Sequence, residues 1–449
     1  MQFISTRGQA PKIHFSAALS AGLAPDGGLF VPEEIPQIDW RPLVDKFATD
    51  VPGSFAKIAL ATLAPFFAGD PLQPHLPEIV SRAFNFPLIL RRLKSNTAVL
   101  ELFHGPTCAF KDFGARFLAE AMAHLDQDLV TPRESSTAQN HAFDLDPQPF
   151  APTQRTILVA TSGDTGGAVA AAFHGQRNVQ VGVLFPKGKV SRRQEQQLTC
   201  WGGNIHSFAV RGSFDDCQKM VKDAFQDRRW QSSKGLTSAN SINLGRLLPQ
   251  ITYYAAASLW HLQQHSESPT FVIPSGNLGN AVAAFYAKKM GFPMAKIILA
   301  TNQNQTVSDY FATGEWRPRP SVVTLANAMD VGNPSNMERL RFLYPQLSDL
   351  SKDAQASWVS DEEIRSTIRR GPQDWGQVWC PHTATAVATG ERLARGPWII
   401  VATAHPAKFE TIVEPLIGQE VEIPSALKEL LNRPTNFVEI DPDLAQLKM

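Results

Sequence analysis

The chain has 449 residues, more than one hydrophobic core organises, so two or three domains are expected. Lys and Arg total 42, as do Asp and Glu, so no overall field recruits nucleic acid or an anionic membrane, and any anion site must be local. The four cysteines, Cys108, Cys200, Cys217 and Cys380, have neither CxxC nor metal-ligand spacing, which suits a reducing compartment and leaves no metal site in view. No apolar run of signal-peptide or membrane-span length is present, so a soluble cytoplasmic protein is expected.

Residues 1–95 mix prolines with polar and apolar residues, carry the turn Pro25-Asp-Gly-Gly28, and read as helical from Ser54 to Phe67. They predict a small N-terminal domain, mainly helical with a few strands. From Thr97 onward, short apolar runs rich in β-branched residues alternate with helical segments. The runs are Thr156–Ala160, Val179–Phe185, Asn204–Val210, Thr270–Ile273, Lys296–Ala300 and Trp398–Ala402. Buried strands separated by helices predict parallel sheets in an α/β architecture. Two such domains are placed at 96–240 and 241–449. Gln127 to Gln154 has four prolines and little periodicity, and reads as an exposed insertion.

Lys111 lies in Glu101-Leu-Phe-His-Gly-Pro-Thr-Cys-Ala-Phe-Lys-Asp-Phe-Gly-Ala-Arg-Phe117, between Phe110 and Phe113. Aromatic neighbours desolvate an ammonium and lower its pKa, which favours attack on carbonyls. Taken alone, the window favours a lysine whose stem packs on rings while its head reaches water. Three further segments are rich in donors. Ala160-Thr-Ser-Gly-Asp-Thr-Gly-Gly167 and Ile273-Pro-Ser-Gly-Asn-Leu-Gly-Asn280 each follow a strand and open a helix. Unpaired N–H groups at such a helix start bind anions, although a plain capped turn has the same form. Ser238-Ala-Asn-Ser-Ile-Asn-Leu-Gly-Arg246 offers Asn240, Ser241 and Asn243 as neutral donors and Arg246 as a bidentate phosphate partner. Walker A and GxGxxG fingerprints are both absent. In Cys380-Pro-His-Thr-Ala-Thr385, Thr383 or Thr385 is the expected helix cap.

A lysine in HGPTxxFKDF, then TSGDTGG, NSxNxxR and SGNxGN, resemble in this order the threonine synthase family of fold-type-II pyridoxal-phosphate enzymes. Ser5-Thr-Arg-Gly8 and Gly22-Leu-Ala-Pro-Asp-Gly-Gly-Leu-Phe-Val-Pro32 extend the likeness to the longer, enteric and fungal class. The resemblance implies a fold of the tryptophan synthase β type, with two parallel-sheet α/β domains plus the small N-terminal domain. It implies pyridoxal 5'-phosphate as cofactor and a small-molecule substrate, O-phospho-L-homoserine, converted with water to L-threonine and phosphate. Lys111 would hold the cofactor as a Schiff base and later move the Cα proton. Gly276, Asn277, Leu278, Gly279 and Asn280 would bind the cofactor phosphate, and Thr383 would meet the pyridine nitrogen. Ser162, Gly163, Asp164 and Thr165 match the substrate-carboxylate loop. Asn240, Ser241 and Arg246 match the substrate-phosphate site. A carboxylate at Asp164 would repel the substrate unless it turns away or pairs.

A phospho-lyase, a serine/threonine dehydratase and a non-catalytic cofactor-binding relative are the alternatives. The dehydratase has no need of the Asn240-to-Arg246 cluster, whereas the phospho-lyase keeps it. Monomer and homodimer remain equally compatible with the sequence. His104 reads as a satisfied loop histidine, Cys108 as a packing residue, and Lys187, Lys189, Arg192 and Arg193 as a solvated turn and helix start.

Overall fold

Apolar runs of four to eight residues become strands because helices cover both of their faces. A computed structural model describes residues 1–47, 53–94, 96–130, 155–227, 230 and 235–449. In chain order the strands are β1 (Phe3–Ser5), β2 (Phe30–Pro32), β3 (Ile89–Arg92), β4 (Thr97–Glu101), β5 (Arg155–Ala160), β6 (Val179–Pro186) and β7 (Ile205–Val210). They continue with β8 (Leu236–Thr237), β9 (Thr270–Pro274), β10 (Ile297–Thr301), β11 (Ala354–Trp358), β12 (Trp398–Ala402) and β13 (Val438–Ile440). The runs read from sequence are all strands here, displaced by a residue or so at their ends.

β1 and β2 form an antiparallel pair. A larger sheet has the order β11-β10-β9-β12-β4-β3, parallel throughout except for the antiparallel edge strand β3. The other has the order β13-β7-β6-β5-β8 and is entirely parallel. The sheets do not follow a linear division at 240/241. β4 pairs with β12 in the larger sheet, and β13 returns to pair with β7 in the smaller one. Sequence periodicity shows where strands lie but carries no pairing information, so this exchange is invisible to it.

The helix Pro381–Leu393 packs across β9, β10 and β12. Gly390 permits that approach, since a Cβ there would lie 2.0 Å from the Trp398 ring. The predicted helix from Ser54 is an α-helix to Leu63 that tightens to a 3-10 turn over Ala64–Phe67. The helix Lys111–Val130 runs into the stretch read as an insertion, and residues 131–154 lie outside the described residues.

The N-terminal segment packs its helix Leu76–Ala83 on Lys111–Val130 and its helix Ser54–Leu63 on Ile251–His265. Rings carry much of this contact: Phe113 meets Phe55, Phe84, Phe86 and Tyr253 at centroid distances of 4.8 to 5.8 Å. Arg339 forms the second tie. It is fully buried and donates to the carbonyls of Phe30, Ser241 and Ile242 and to Asn336 Oδ1, at 2.6 to 3.1 Å. Every bond takes a backbone or amide acceptor, so this cation acts as a cross-link and not as half of an ion pair.

Gly390→Ala will lower unfolding stability by about 1–3 kcal/mol, because Trp398 has no room to retreat within a buried strand. Urea denaturation followed by tryptophan fluorescence measures this, and an unchanged midpoint would contradict the packing argument.

Candidate active site

Five segments leave the carboxyl ends of parallel strands and converge. β4 leads to Lys111, β5 to Thr161–Thr165, β8 to Ser238–Arg246, β9 to Ser275–Asn280, and β12 to Thr403–Phe409. This is the edge at which open α/β sheets bind ligands. Members of all five segments bound a cavity of about 590 Å³ or touch its walls.

Lys111 is the first residue of its helix and lines the cavity. Its ammonium lies 5.2 Å from the Phe110 ring centroid and donates to Thr165 Oγ1 at 2.6 Å. Phe113 points instead into the aromatic cluster under the N-terminal segment, so one ring and not two flanks the amine. Alternation on a helix explains this: residues two apart do not share a face. Burial, followed by the positive charges of Arg246 and Lys408, pulls the Lys111 pKa down to about 8, against the opposing pull of Asp164. A neutral amine is therefore accessible near physiological pH.

The Ser162–Thr165 loop is organised by Thr161, which the sequence reading passed over. Its hydroxyl accepts from Gly163 N at 3.0 Å and Gly166 N at 2.9 Å, and donates to the Gly163 carbonyl at 3.0 Å. Gly163 caps the helix Asp164–Phe173, so Asp164 and Thr165 lie in its first turn. Ser162, Asp164 and Thr165 line the cavity. Asp164 is paired: Lys408 Nζ lies 2.8 Å from Oδ1, and Gln194 Nε2 donates to the same oxygen at 3.2 Å. Burial alone would push this carboxyl up, but Lys408, His382 and Lys111 together hold it below the usual carboxylate range.

In the loop after β9, Leu278 adopts φ 62° and precedes the helix Gly279–Lys289. A non-glycine residue held in that region costs of order 1–3 kcal/mol and recurs at ligand clamps. Asn277 Nδ2 donates to Ser241 Oγ at 2.7 Å, and Asn336 Nδ2 donates to the same oxygen at 3.2 Å. Ser241 thereby accepts twice and retains its own O–H to donate. Asn280 Oδ1 accepts from the hydroxyls of Tyr253 and Tyr254, and Nδ2 is buried without a partner. Arg246 is buried with Nη1 on the Ala239 carbonyl and Nε unpartnered, and no carboxylate pairs with it among the described residues. Asn240 also lines the cavity. Asn243 does not act as a ligand donor: its amide is spent on the carbonyls of Leu19 and Ser238 and on Gly245 N–H.

Thr383 is 1% exposed and is not among the residues lining the cavity. Its hydroxyl lies 3.2 Å from Cys380 Sγ, which also caps the helix by accepting Thr383 N–H at 3.4 Å. The cap expected at a threonine is thus a cysteine. His382 reaches the cavity instead. Its Nε2 accepts Ala328 N–H at 3.1 Å, so its proton sits on Nδ1, and burial pulls its pKa down to about 4. Outside the cavity, His104 bonds Glu101 at 2.7 Å, Lys187 and Arg193 pair with glutamates, and burial pushes the Cys108 thiol up to about 11.

Residues 89–403 match the pyridoxal-phosphate dependent enzyme family, residues 2–84 the threonine synthase N terminus, and residues 383–449 the threonine synthase C-terminal region. The chain is 38% identical to threonine synthase of Haemophilus influenzae, covering 97% of this chain and 96% of that protein. It is 37% identical to threonine synthase of Escherichia coli, covering 100% and 98%. The crystal structure of the Escherichia coli protein superposes with a TM-score of 0.85 at 36% identity, over 100% of this chain and 98% of that one. Pyridoxal-phosphate-bound threonine synthase from Brucella melitensis gives 0.87 at 33% identity, over 99% and 97%. The chain belongs to the threonine synthase family.

Threonine synthases are pyridoxal-phosphate enzymes of the fold expected from the sequence, and the residues here fit that cofactor. Gly276 has backbone where a Cβ would stand, 2.7 Å from Met329 Cα, so the loop passes closer than any side chain allows. Asn280 Nδ2 is a buried donor awaiting an acceptor, and it stands at a helix N-terminus suited to a phosphate. Lys111 supplies an amine of lowered pKa in the same cavity. Lys408, Gln194, Thr161 and His382 are functional neighbours that the sequence reading did not select. No short motif marks Lys408 or Gln194, whereas Thr161 and His382 sit inside motifs where neighbouring residues drew the assignment.

Below about pH 8 the Lys111 amine is protonated and cannot attack; above it the amine is free. The rate at which apoenzyme captures pyridoxal phosphate will therefore rise roughly tenfold from pH 7 to 9 and then level off. Stopped-flow absorbance measures it, and a continued tenfold rise per unit toward pH 10 would mean an ordinary lysine.

Proposed function

We propose that this threonine synthase family member converts O-phospho-L-homoserine and water to L-threonine and phosphate, with its donor segments dividing the work as follows. The observation that carries the reading is Arg246, a buried guanidinium to which no carboxylate hydrogen-bonds among the described residues, in the same cavity as Lys111. Burying an unpaired cation is costly unless an anion completes it. With Asn240 and the free O–H of Ser241, it forms a phosphate site separate from the Gly276–Asn280 loop. Gly276, Asn277, Leu278, Gly279 and Asn280 hold the cofactor phosphate, while Ser162, Gly163, Asp164 and Thr165 present N–H and hydroxyl donors to the substrate carboxylate. Gly163 acts through its backbone alone.

Pyridoxal phosphate, when bound, supplies the electron sink for the pair released at the substrate Cα. Lys111 binds the cofactor and afterwards moves the proton at Cα, a role for which a pKa of about 8 is well placed. Thr165 orients that amine through its hydroxyl. Arg246, Ser241 and Asn240 take up the charge on the phosphate as it leaves Cγ. Thr383 would meet the pyridine nitrogen by exchanging its contact with Cys380 for one to the cofactor. His382 Nδ1–H is the neighbouring donor at that wall. The expectation of a cytoplasmic enzyme, monomeric or homodimeric, that engages neither nucleic acid nor membrane belongs to the same reading.

A dehydratase acting on unphosphorylated substrates leaves Arg246 without purpose, and a non-catalytic relative leaves both Arg246 and the lowered pKa of Lys111 without one. A phospho-lyase shares every anion site, and product analysis separates it. Wild-type enzyme given O-phospho-L-homoserine should release threonine and phosphate in equal amounts, and Lys111→Ala neither. Phosphate without threonine would establish the lyase.

Arg246→Leu removes one or two charge-assisted hydrogen bonds, each worth about 1.5–3 kcal/mol. It will lower kcat/KM for O-phospho-L-homoserine by about 10-fold to 150-fold per bond lost. Binding of L-threonine, which lacks the phosphate, should change little. An equal loss for both ligands would place Arg246 in the scaffold.

A further inference from the structure

Lys408 is a buried lysine to which the proposed chemistry gives no task. It lies in the short helix Pro406–Phe409 that follows β12, and none of its surface is exposed. Its ammonium donates to the Thr107 carbonyl at 2.8 Å and pairs with Asp164 Oδ1 at 2.8 Å. Gln194 Nε2 donates to the same carboxylate oxygen, and Gln197 Nε2 to the same carbonyl at 3.0 Å. Thr107 in turn donates to Asp112, from its N–H at 2.9 Å and its hydroxyl at 2.6 Å, and Asp112 adjoins Lys111. The Lys408 carbonyl accepts from Ser191 Oγ at 2.7 Å. One side chain therefore joins the turn before Lys111, the anion loop after β5 and the segment after β12, and so spans both large sheets.

A carboxylate in the loop that receives a substrate carboxylate is a contradiction unless its charge is cancelled. The geometry points to Lys408 as a positioning residue that neutralises Asp164 and fixes the Ser162–Thr165 donors beside Lys111, so that the loop accepts an anionic substrate group. This rests on the reading of that loop as the carboxylate site. Charge, and not shape alone, is what the pair contributes. Asp164 is faced by Lys408, by Lys111 and His382 from two other helices, and by the thiols of Cys108 and Cys380. Asp112 is the other carboxyl in the field of Lys408, and burial pushes it up. Burial is the largest single influence on Asp164, and with Lys408 removed only His382 and Lys111 oppose it, so its carboxyl would take up a proton at higher pH than before.

The test compares wild-type holoenzyme with Lys408→Met, Asp164→Asn and the double variant, following phosphate release from O-phospho-L-homoserine. Lys408→Met should raise KM by about tenfold or more at pH 8.5, since a buried like charge then faces the substrate carboxylate. The defect should shrink as the pH falls and the buried carboxyl takes up a proton. Adding Asp164→Asn should return KM to within about threefold of wild type and abolish the extra pH dependence, because the loop is again neutral. Competitive inhibition by inorganic phosphate, which reads the Arg246 site, should stay within about twofold throughout. A double variant as impaired as Lys408→Met overturns the proposal, as does a KM unchanged in Lys408→Met or an equal loss of phosphate inhibition. If Lys408→Met does not fold, a soluble double variant with near-wild-type KM supports the charge role, and a double variant that also fails to fold overturns it. Phosphate released without threonine would count against the proposed reaction and leave the comparison among variants intact.

Discussion

Three buried cations, Lys111, Arg246 and Lys408, share one electrostatic environment with Asp164, a buried carboxyl held below the usual carboxylate range. Like charges out of water repel strongly, and each cation resolves the conflict differently. Lys408 is matched by Asp164. Lys111 gives up its proton near pH 8. Arg246 keeps its proton and, in the proposed function, is completed by a ligand. In that reading the three solutions correspond to a structural ion pair, a nucleophile and an anion receptor. The chemistry of the site follows from which cation has a partner.

Convergence of these groups depends on parallel strands. In a parallel sheet every strand delivers its following loop to the same edge, so segments from residues 102–111, 161–165, 238–246, 275–280 and 403–409 meet without long connections. The exchange of β4 and β13 between sheets ties the two halves around the cavity. Phe113 and Arg339 then fasten the N-terminal segment beneath it: one buries rings behind Lys111, the other holds the Ser241 segment by its carbonyls. Stability and function meet in adjacent residues here, with Lys111 facing the cavity and Phe113 the core.

Residues in local motifs were readable because a strand, a glycine-bearing turn and a helix start form one contiguous stretch of chain. The Ser162–Thr165 and Gly276–Asn280 loops are legible as strand-to-helix turns for that reason and both line the cavity, and Arg246 stands out as a basic residue entering an apolar helix. Asn243 shows the limit of that reasoning: its composition suits a ligand site, but its amide is consumed by backbone. Thr383 and Cys380 show another limit, since the sequence marks a cap region without saying which side chain supplies the acceptor. Lys408 is the largest omission. In sequence it is an isolated lysine after His405-Pro-Ala, indistinguishable from a solvated one.

The sequence by itself determined the family, the alternation of strand and helix, the cofactor lysine as a candidate and three donor-rich segments. These are properties of contiguous stretches, where backbone geometry and side-chain type act together. Tertiary structure alone decided that Phe113 turns away from Lys111, that Asp164 pairs with Lys408, that β4 and β13 change sheets, and that no carboxylate among the described residues hydrogen-bonds Arg246. Each of these depends on which distant groups meet in a low-dielectric interior. There a residue's charge and hydrogen-bonding state are set by its spatial neighbours, and sequence distance has no bearing on them.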